Sequence, residues 1–203
     1  MPRIAADTVA EHHAQQRRAL LSAVRELIVE TGAIPSMSAV GRRAGLARTS
    51  LYQYVESADD LVRAVLAEVL PEWSGYVADA VAAAPTPAEQ VWAYVRANVE
   101  LMGSPEQTVT NIVMRAVDPA VLQGAVSEFH VHLQIPLRSA LADFGEPEVD
   151  AMAAMIDSMI VQASRGTDPA PGAAEGPGSH VHSNEELVLG RLRRILGGYL
   201  GLA

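Results

Sequence analysis

The chemistry-bearing residues fall into two groups. The first is histidine, in three close pairs: His12-His13, His130-Val131-His132 and His180-Val181-His182. Paired imidazoles can hold a metal. On a helix, however, positions i and i+2 point about 200° apart, so His130 and His132 cannot share an ion. His180 and His182 could chelate from an extended loop, but no carboxylate or thiol stands at a useful spacing. The chain has no cysteine, which removes thiolate metal sites, disulfides and a cysteine nucleophile. No nucleophile–base motif or phosphate loop is present. The expectation is no metal, no cofactor and no enzymatic activity.

The second group lies between Ser36 and Leu61, SMSAVGRRAGLARTSLYQYVESADDL. Two short helices flank a turn at Gly45. The first buries Val40 and Ala44, and the second buries Leu51 and Val55. Small side chains at Gly41 and Ala44 let the helices cross closely. This is the spacing of a helix-turn-helix, whose second helix enters the major groove of DNA.

Charge supports that placement. The net charge is −9, which taken whole argues against a nucleic-acid partner. Residues 1–66, however, hold eight Arg against seven acids, whereas residues 67–203 hold seven Arg against seventeen acids. Only the near-neutral head could approach a phosphate backbone without strong repulsion. Every basic residue is Arg, a usage that GC-rich coding explains. Of the 203 residues, 49% are hydrophobic and 19% charged, so a packed core is expected rather than disorder. No apolar run reaches a membrane span and no secretory signal is visible. The expected location is the cytoplasm, with no membrane partner.

The elements that position these residues read as helices almost throughout. Leu20, Val24, Leu27 and Ile28 make one stripe over 17–31, and Gly32 follows where a helix ends. Short helices are expected at 38–44 and 48–55. Ser57 caps the next helix, with Asp59 and Asp60 in its first turn, and Pro71 is expected to stop it. Pro87, Pro105, Pro119 and Pro147 introduce helical stretches at 88–102, 105–116, 119–143 and 147–165. Residues 166–184 hold four Gly and three Pro, and a flexible loop is expected there. A last helix spans about 184–200. No strand is expected.

The head resembles the tetracycline-repressor (TetR) family of transcriptional regulators. The matching residues are Ser36, Val40, the Ala44-Gly45-Leu46 turn, Ser50-Leu51-Tyr52, Val55 and Leu61, with the preceding helix ending in Glu30-Thr31-Gly32. The specific match covers about residues 17–66. It implies an all-α fold: a three-helix DNA-binding head at 14–66 and a helical body at 67–203 that binds ligand and dimerises. By position, Arg48, Thr49, Ser50 and Gln53 would face base edges, where Arg suits guanine and Gln adenine. Tyr52 and Tyr54 would contact phosphates. Ser36 and Ser38 would offer hydroxyls and helix amides to a phosphate, and Arg42 and Arg43 would lie near the backbone. Two departures stand out. The run Glu56-Ser57-Ala58-Asp59-Asp60 lacks the basic residue common near Ala58, and Val55 replaces a usual aromatic.

In the body, the resemblance implies a homodimer through the last two helices. Met152, Met155 and Met159 stripe one of them, and Leu192, Ile195, Leu196 and Tyr199 stripe the other. Gly190, Gly197 and Gly198 would allow close approach. A small-molecule effector of unknown identity would bind among Trp92, Tyr94, Met102, Met114, Phe129 and His132, with His130 nearby. The function implied is that of a ligand-responsive repressor acting on a double-stranded DNA operator. The competing readings are an all-α enzyme, or a partner-binding protein with its site in the body.

Overall fold

In a computed structural model, the structure describes residues 3–102, 104–116, 119–165 and 179–202. Among them every regular element is an α-helix: α1 (Arg3–Thr31), α2 (Met37–Ala44), α3 (Arg48–Leu51), α4 (Ala58–Ala83), α5 (Pro87–Met102), α6 (Pro105–Ala116), α7 (Pro119–Phe144), α8 (Val149–Arg165) and α9 (Ser179–Leu200). None of them is long and apolar enough to cross a membrane.

The chain forms two compact units. Unit 1 is Met1–Leu70 with Pro105–Val126, and unit 2 is Pro71–Ser104 with Ser127–Ala203. The expected head, 14–66, lies inside unit 1. That unit also takes in α6, which packs on α1. Its core is the apolar stripe of α1 (Leu20, Leu21, Val24, Ile28) together with Val40, Leu51, Val55, Leu61 and Val65, and Val109 and Val113 of α6. In unit 2, α5, α8 and α9 pack on one another. Trp73, Val77, Tyr94, Leu137, Leu141, Ile156, Leu192 and Leu196 fill their centre.

Four expectations about elements change. First, α1 begins at Arg3 rather than near 17. Residues 3–16 carry no apolar stripe to announce a helix. Second, α4 runs through Pro71 to Ala83. An interior proline loses one amide and crowds the carbonyl four residues back, at a cost of about 3 kcal/mol. Here the helix is held on both sides, by Val65, Leu66 and Val69 before the proline and by Trp73, Val77 and Val81 after it, all buried. Third, α3 is only four residues long, and the rest of the expected 48–55 helix is a turn. Gln53 N–H donates to the Ser50 carbonyl at 3.1 Å and Tyr54 N–H to the Leu51 carbonyl at 3.0 Å. Fourth, α9 starts at Ser179, so residues 179–184 of the expected loop, with His180 and His182, have helical backbone. The remainder of that loop, 166–178, lies outside the described residues.

Candidate nucleic-acid interface

The α2–turn–α3 motif is built from local chemistry. Ser36 caps α2 by accepting the Ala39 amide at 3.3 Å. Gly45 closes it in the left-handed region (φ 68°), which a side chain would strain. The Leu46 amide then reaches back to the Gly41 carbonyl at 2.9 Å. A Cβ on Gly41 would stand 3.1 Å from the Leu46 carbonyl oxygen and 3.5 Å from Leu51 Cδ1. The small residue is thus what brings α3 against α2. Buried Val40, Leu51 and Val55 fix the pair from beneath. At the start of α4 the Ser57 hydroxyl accepts the Asp60 amide at 3.1 Å, and the Asp60 carboxylate accepts the Glu56 amide at 3.0 Å.

This frame leaves a polar set outside. Ser36, Ser38, Arg42 and Gln53 are exposed, and Tyr52 is 46% exposed. The Arg42 guanidinium donates to Ser38 Oγ at 3.0 Å, within α2. Ser50 and Tyr54 are half-buried. Arg48 and Thr49 belong to α3 by backbone, and their side chains lie outside the described residues.

Arg43 behaves differently from the backbone-contacting role its position implied. Its guanidinium meets Glu30 at 2.6 and 3.0 Å and Glu26 at 3.1 Å, both on α1. Its hydrogen bonds to Glu30 and Glu26 hold its proton above the ordinary guanidinium range, and the same bond holds the Glu30 carboxyl below its usual range. The charge is already answered inside unit 1. Sequence spacing gave no signal of this, because the carboxylates arrive from another helix.

Tyr54 also has a partner the sequence did not suggest. Its ring lies 4.4 Å from the imidazole of His13, centroid to centroid, tilted by 33°.

In unit 2 the expected ligand residues are mostly engaged in packing. Tyr94 is fully buried, and its hydroxyl donates to Asp157 Oδ1 at 2.8 Å. Burial first, then the Asp157 charge, pushes its phenol above the usual tyrosine range. Asp157 also accepts from Gln134, whose own amide oxygen accepts from Arg138 at 2.9 Å. Phe129 stands edge-on to Trp73 at 5.8 Å, and the Trp73 indole donates to buried Asn98 at 3.3 Å. Trp92 carries the Arg193 guanidinium over its ring at 5.6 Å. Met102 packs at the core edge. His130 and His132 are exposed. Met114 sits in α6 of unit 1, and its side chain lies outside the described residues. Among the described residues no group of three or more His, Asp or Glu is placed to hold a metal.

The expected dimer stripe divides. Leu192 and Leu196 are only 1% and 3% exposed and belong to the core of unit 2. Tyr199 leans on Phe144, and its hydroxyl donates to Glu146. Met152 is half-buried. Met155 and Ile195 are 56% and 61% exposed, as is Leu187 at 56%. Met159, Ala163, Arg191, Arg194 and Ile195 line one shallow groove between α8 and α9.

No protein-family model matches the chain, and no curated protein sequence matches it significantly. Solved structures do match. A TetR-family transcriptional regulator from Pectobacterium atrosepticum is 19% identical with a TM-score of 0.65, the alignment covering 93% of this chain and 95% of that one. AibR, solved with isovaleryl coenzyme A and operator DNA, is 16% identical with a TM-score of 0.63, covering 88% and 97%. The superantigen PfiT is 17% identical with a TM-score of 0.66, covering 86% and 94%. The chain has the fold of TetR-family transcriptional regulators.

Proposed function

We propose that the protein is a sequence-specific DNA-binding regulator, a repressor that acts as a homodimer and is released by a small-molecule effector. The observation that carries the reading is the capped α2–Gly45–α3 motif with Ser36, Ser38, Arg42, Tyr52 and Gln53 all on the outside of an otherwise tightly filled unit. A solvated face explains any one of those residues. It does not explain why Tyr52 stays at the surface, with Tyr54 half-buried, while Leu51 and Val55 on either side of them are buried. By their place in the motif, Arg48, Thr49 and Ser50 would complete the reading surface at the start of α3. The region 14–66 would be the DNA-binding domain, and 67–203 the ligand-binding and dimerisation domain.

A homodimer suits this reading. One short recognition helix makes too few contacts for useful specificity, so two are set about 34–36 Å apart, one turn of DNA. The second copy would seat on the exposed Met155, Ile195 and Leu187 and the half-buried Met159 of α8 and α9. An effector bound in the body would act by preferring a dimer whose recognition helices have the wrong separation. AibR, which shares the fold, binds an acyl-coenzyme A. That makes acyl thioesters a sensible first effector class to try. The reading needs no catalytic group.

Selection of bound duplexes from a random-sequence pool tests it. The expected result is one enriched palindromic consensus. Failure to enrich any sequence overturns the proposal.

A further inference from the structure

We propose that His13, on the amino-terminal extension of α1, is a positioning residue of the DNA-reading surface: its imidazole holds the Tyr54 ring where the hydroxyl can meet a phosphate. The inference rests on the function proposed above and deepens it.

Three observations converge. Tyr54 lies beyond the end of α3, in a turn where its own amide and that of Gln53 step back three residues, to Leu51 and Ser50, and the Val55 amide steps back four, to Leu51. These bonds tie its backbone to the end of α3 but leave its ring to be placed by side-chain contacts. Its neighbours Leu51 and Val55 are 0% and 2% exposed and anchor the chain on either side, but they do not set the direction of the Tyr54 ring. That ring is half-buried, and its described ring contact is His13 at 4.4 Å with a 33° tilt, at the close edge of the separations found in aromatic pairs.

The extension itself points the same way. Of residues 11–19, all but half-buried Gln16 are exposed, so this stretch of α1 adds almost nothing to the core. A helix that buries no apolar stripe gains little from packing. What this stretch does deliver is an aromatic ring against Tyr54, a phosphate-contact candidate that lies past the end of α3. Arg17 follows one turn later and faces Glu68 of α4 at 3.8 Å.

The test uses a labelled duplex enriched by the wild-type protein from a random pool, with affinity read by fluorescence anisotropy at one fixed salt concentration. His13→Ala should weaken binding about three- to tenfold, the range an aromatic pair supplies. His13→Phe, which keeps a stacking ring, should restore affinity to within about twofold of wild type. In a Tyr54→Phe background, which lacks the hydroxyl, the loss caused by His13→Ala should largely vanish, because the two changes act on one contact. Thermal melting of each variant should stay close to wild type, since an exposed imidazole supports no core. Wild-type affinity in His13→Ala, or an undiminished loss in the Tyr54→Phe background, overturns this proposal and leaves the regulator reading standing. A wild-type protein that enriches no duplex overturns both.

Discussion

The Arg43 guanidinium lies across the Glu30 carboxylate at 2.6 Å, with a second bond to Glu26 at 3.1 Å. An arginine of the helix-turn-helix is thereby turned back onto the scaffold. Its neighbour Arg42, bonded only within α2 to Ser38 among its described contacts, faces outward. The two adjacent charges therefore have different work. Arg42→Ala should weaken duplex binding and reduce the slope of log affinity against log salt by about one, as the loss of one phosphate contact does. Arg43→Ala should leave that slope unchanged and instead lower the melting temperature at low salt, an effect that fades as salt is added. Salt titrations of both variants on the same duplex decide it. Equal slopes for the two would refute the division.

The same pair predicts an acid limit. The hydrogen bond from Arg43 lowers the Glu30 pKa from its ordinary 4.5. A carboxyl depressed in the folded state adds stability above its unfolded pKa and loses it as pH falls through the folded value. The contribution is thus intact at neutral pH and disappears below about pH 4.5. Glu30→Gln should melt lower than wild type at pH 7, with the gap narrowing on acidification. A gap independent of pH between 7 and 3 would show that the bond, not the charge, matters.

Tyr94 governs the other end of the pH scale. Its hydroxyl is held by Asp157 at 2.8 Å in a site walled by α5 and α8, and burial together with that negative charge raises its pKa. A raised pKa adds stability below the unfolded value, ordinarily 10, and loses it as pH climbs through the folded value. Tyr94→Phe leaves Asp157 short of a donor and should cost about 1–3 kcal/mol at pH 7, read by urea denaturation. A loss below about 0.5 kcal/mol would mean that water replaces the phenol.

Glycine predictions separate strain from crowding. Gly45 has a positive φ of 68° and open space where a Cβ would go. Gly45→Ala should therefore cost about 1–2 kcal/mol of backbone strain with duplex binding little changed. Gly41 is the reverse case, since a Cβ there meets the Leu46 carbonyl at 3.1 Å. Gly41→Ala should move α3 and weaken duplex binding more than it weakens the fold. Denaturation and anisotropy on both variants separate the two effects, and the opposite ranking would undo the argument.

What the sequence made legible follows from range. The α2–α3 motif rests on residues within five or six positions of one another: Ser36 capping Ala39, Gly45 ending the helix, Gly41 under Leu46. Propensity and spacing suffice for these. The extension of α1 was not legible, since a polar helix without a stripe looks like a tail. Pro71 read as a stop because the buried residues on both sides of it compete with the proline only through packing. The membership of α6 in unit 1 depends on contacts with α1 some ninety residues away. Arg43 and Tyr54 were both placed on the DNA side by position alone, and their partners on α1 are separated from them by 13 to 41 residues. Leu192 and Leu196 share a stripe with Ile195, and a helical wheel cannot say which edge of a wide stripe faces the core.

That last ambiguity yields the dimer prediction. On α9 the core takes Leu192 and Leu196, while Ile195 remains 61% exposed, and on α8 Ile156 is buried while Met155 is 56% exposed. A charge at either exposed position touches nothing in the core of its own chain, so the protomer should fold as before. The same charge placed between two copies would be desolvated, and in a twofold interface it would occur twice. Met155→Glu and Ile195→Glu should therefore each shift the protein from dimer to monomer in sedimentation, with little change in helical content. Because two half-sites bound by one dimer are read together, duplex affinity should fall by more than tenfold even though neither residue lies in the head. Leu192→Glu should behave differently and unfold unit 2. A wild-type protein that sediments as a monomer at micromolar concentration, or Glu variants that stay dimeric, would move the interface off this face.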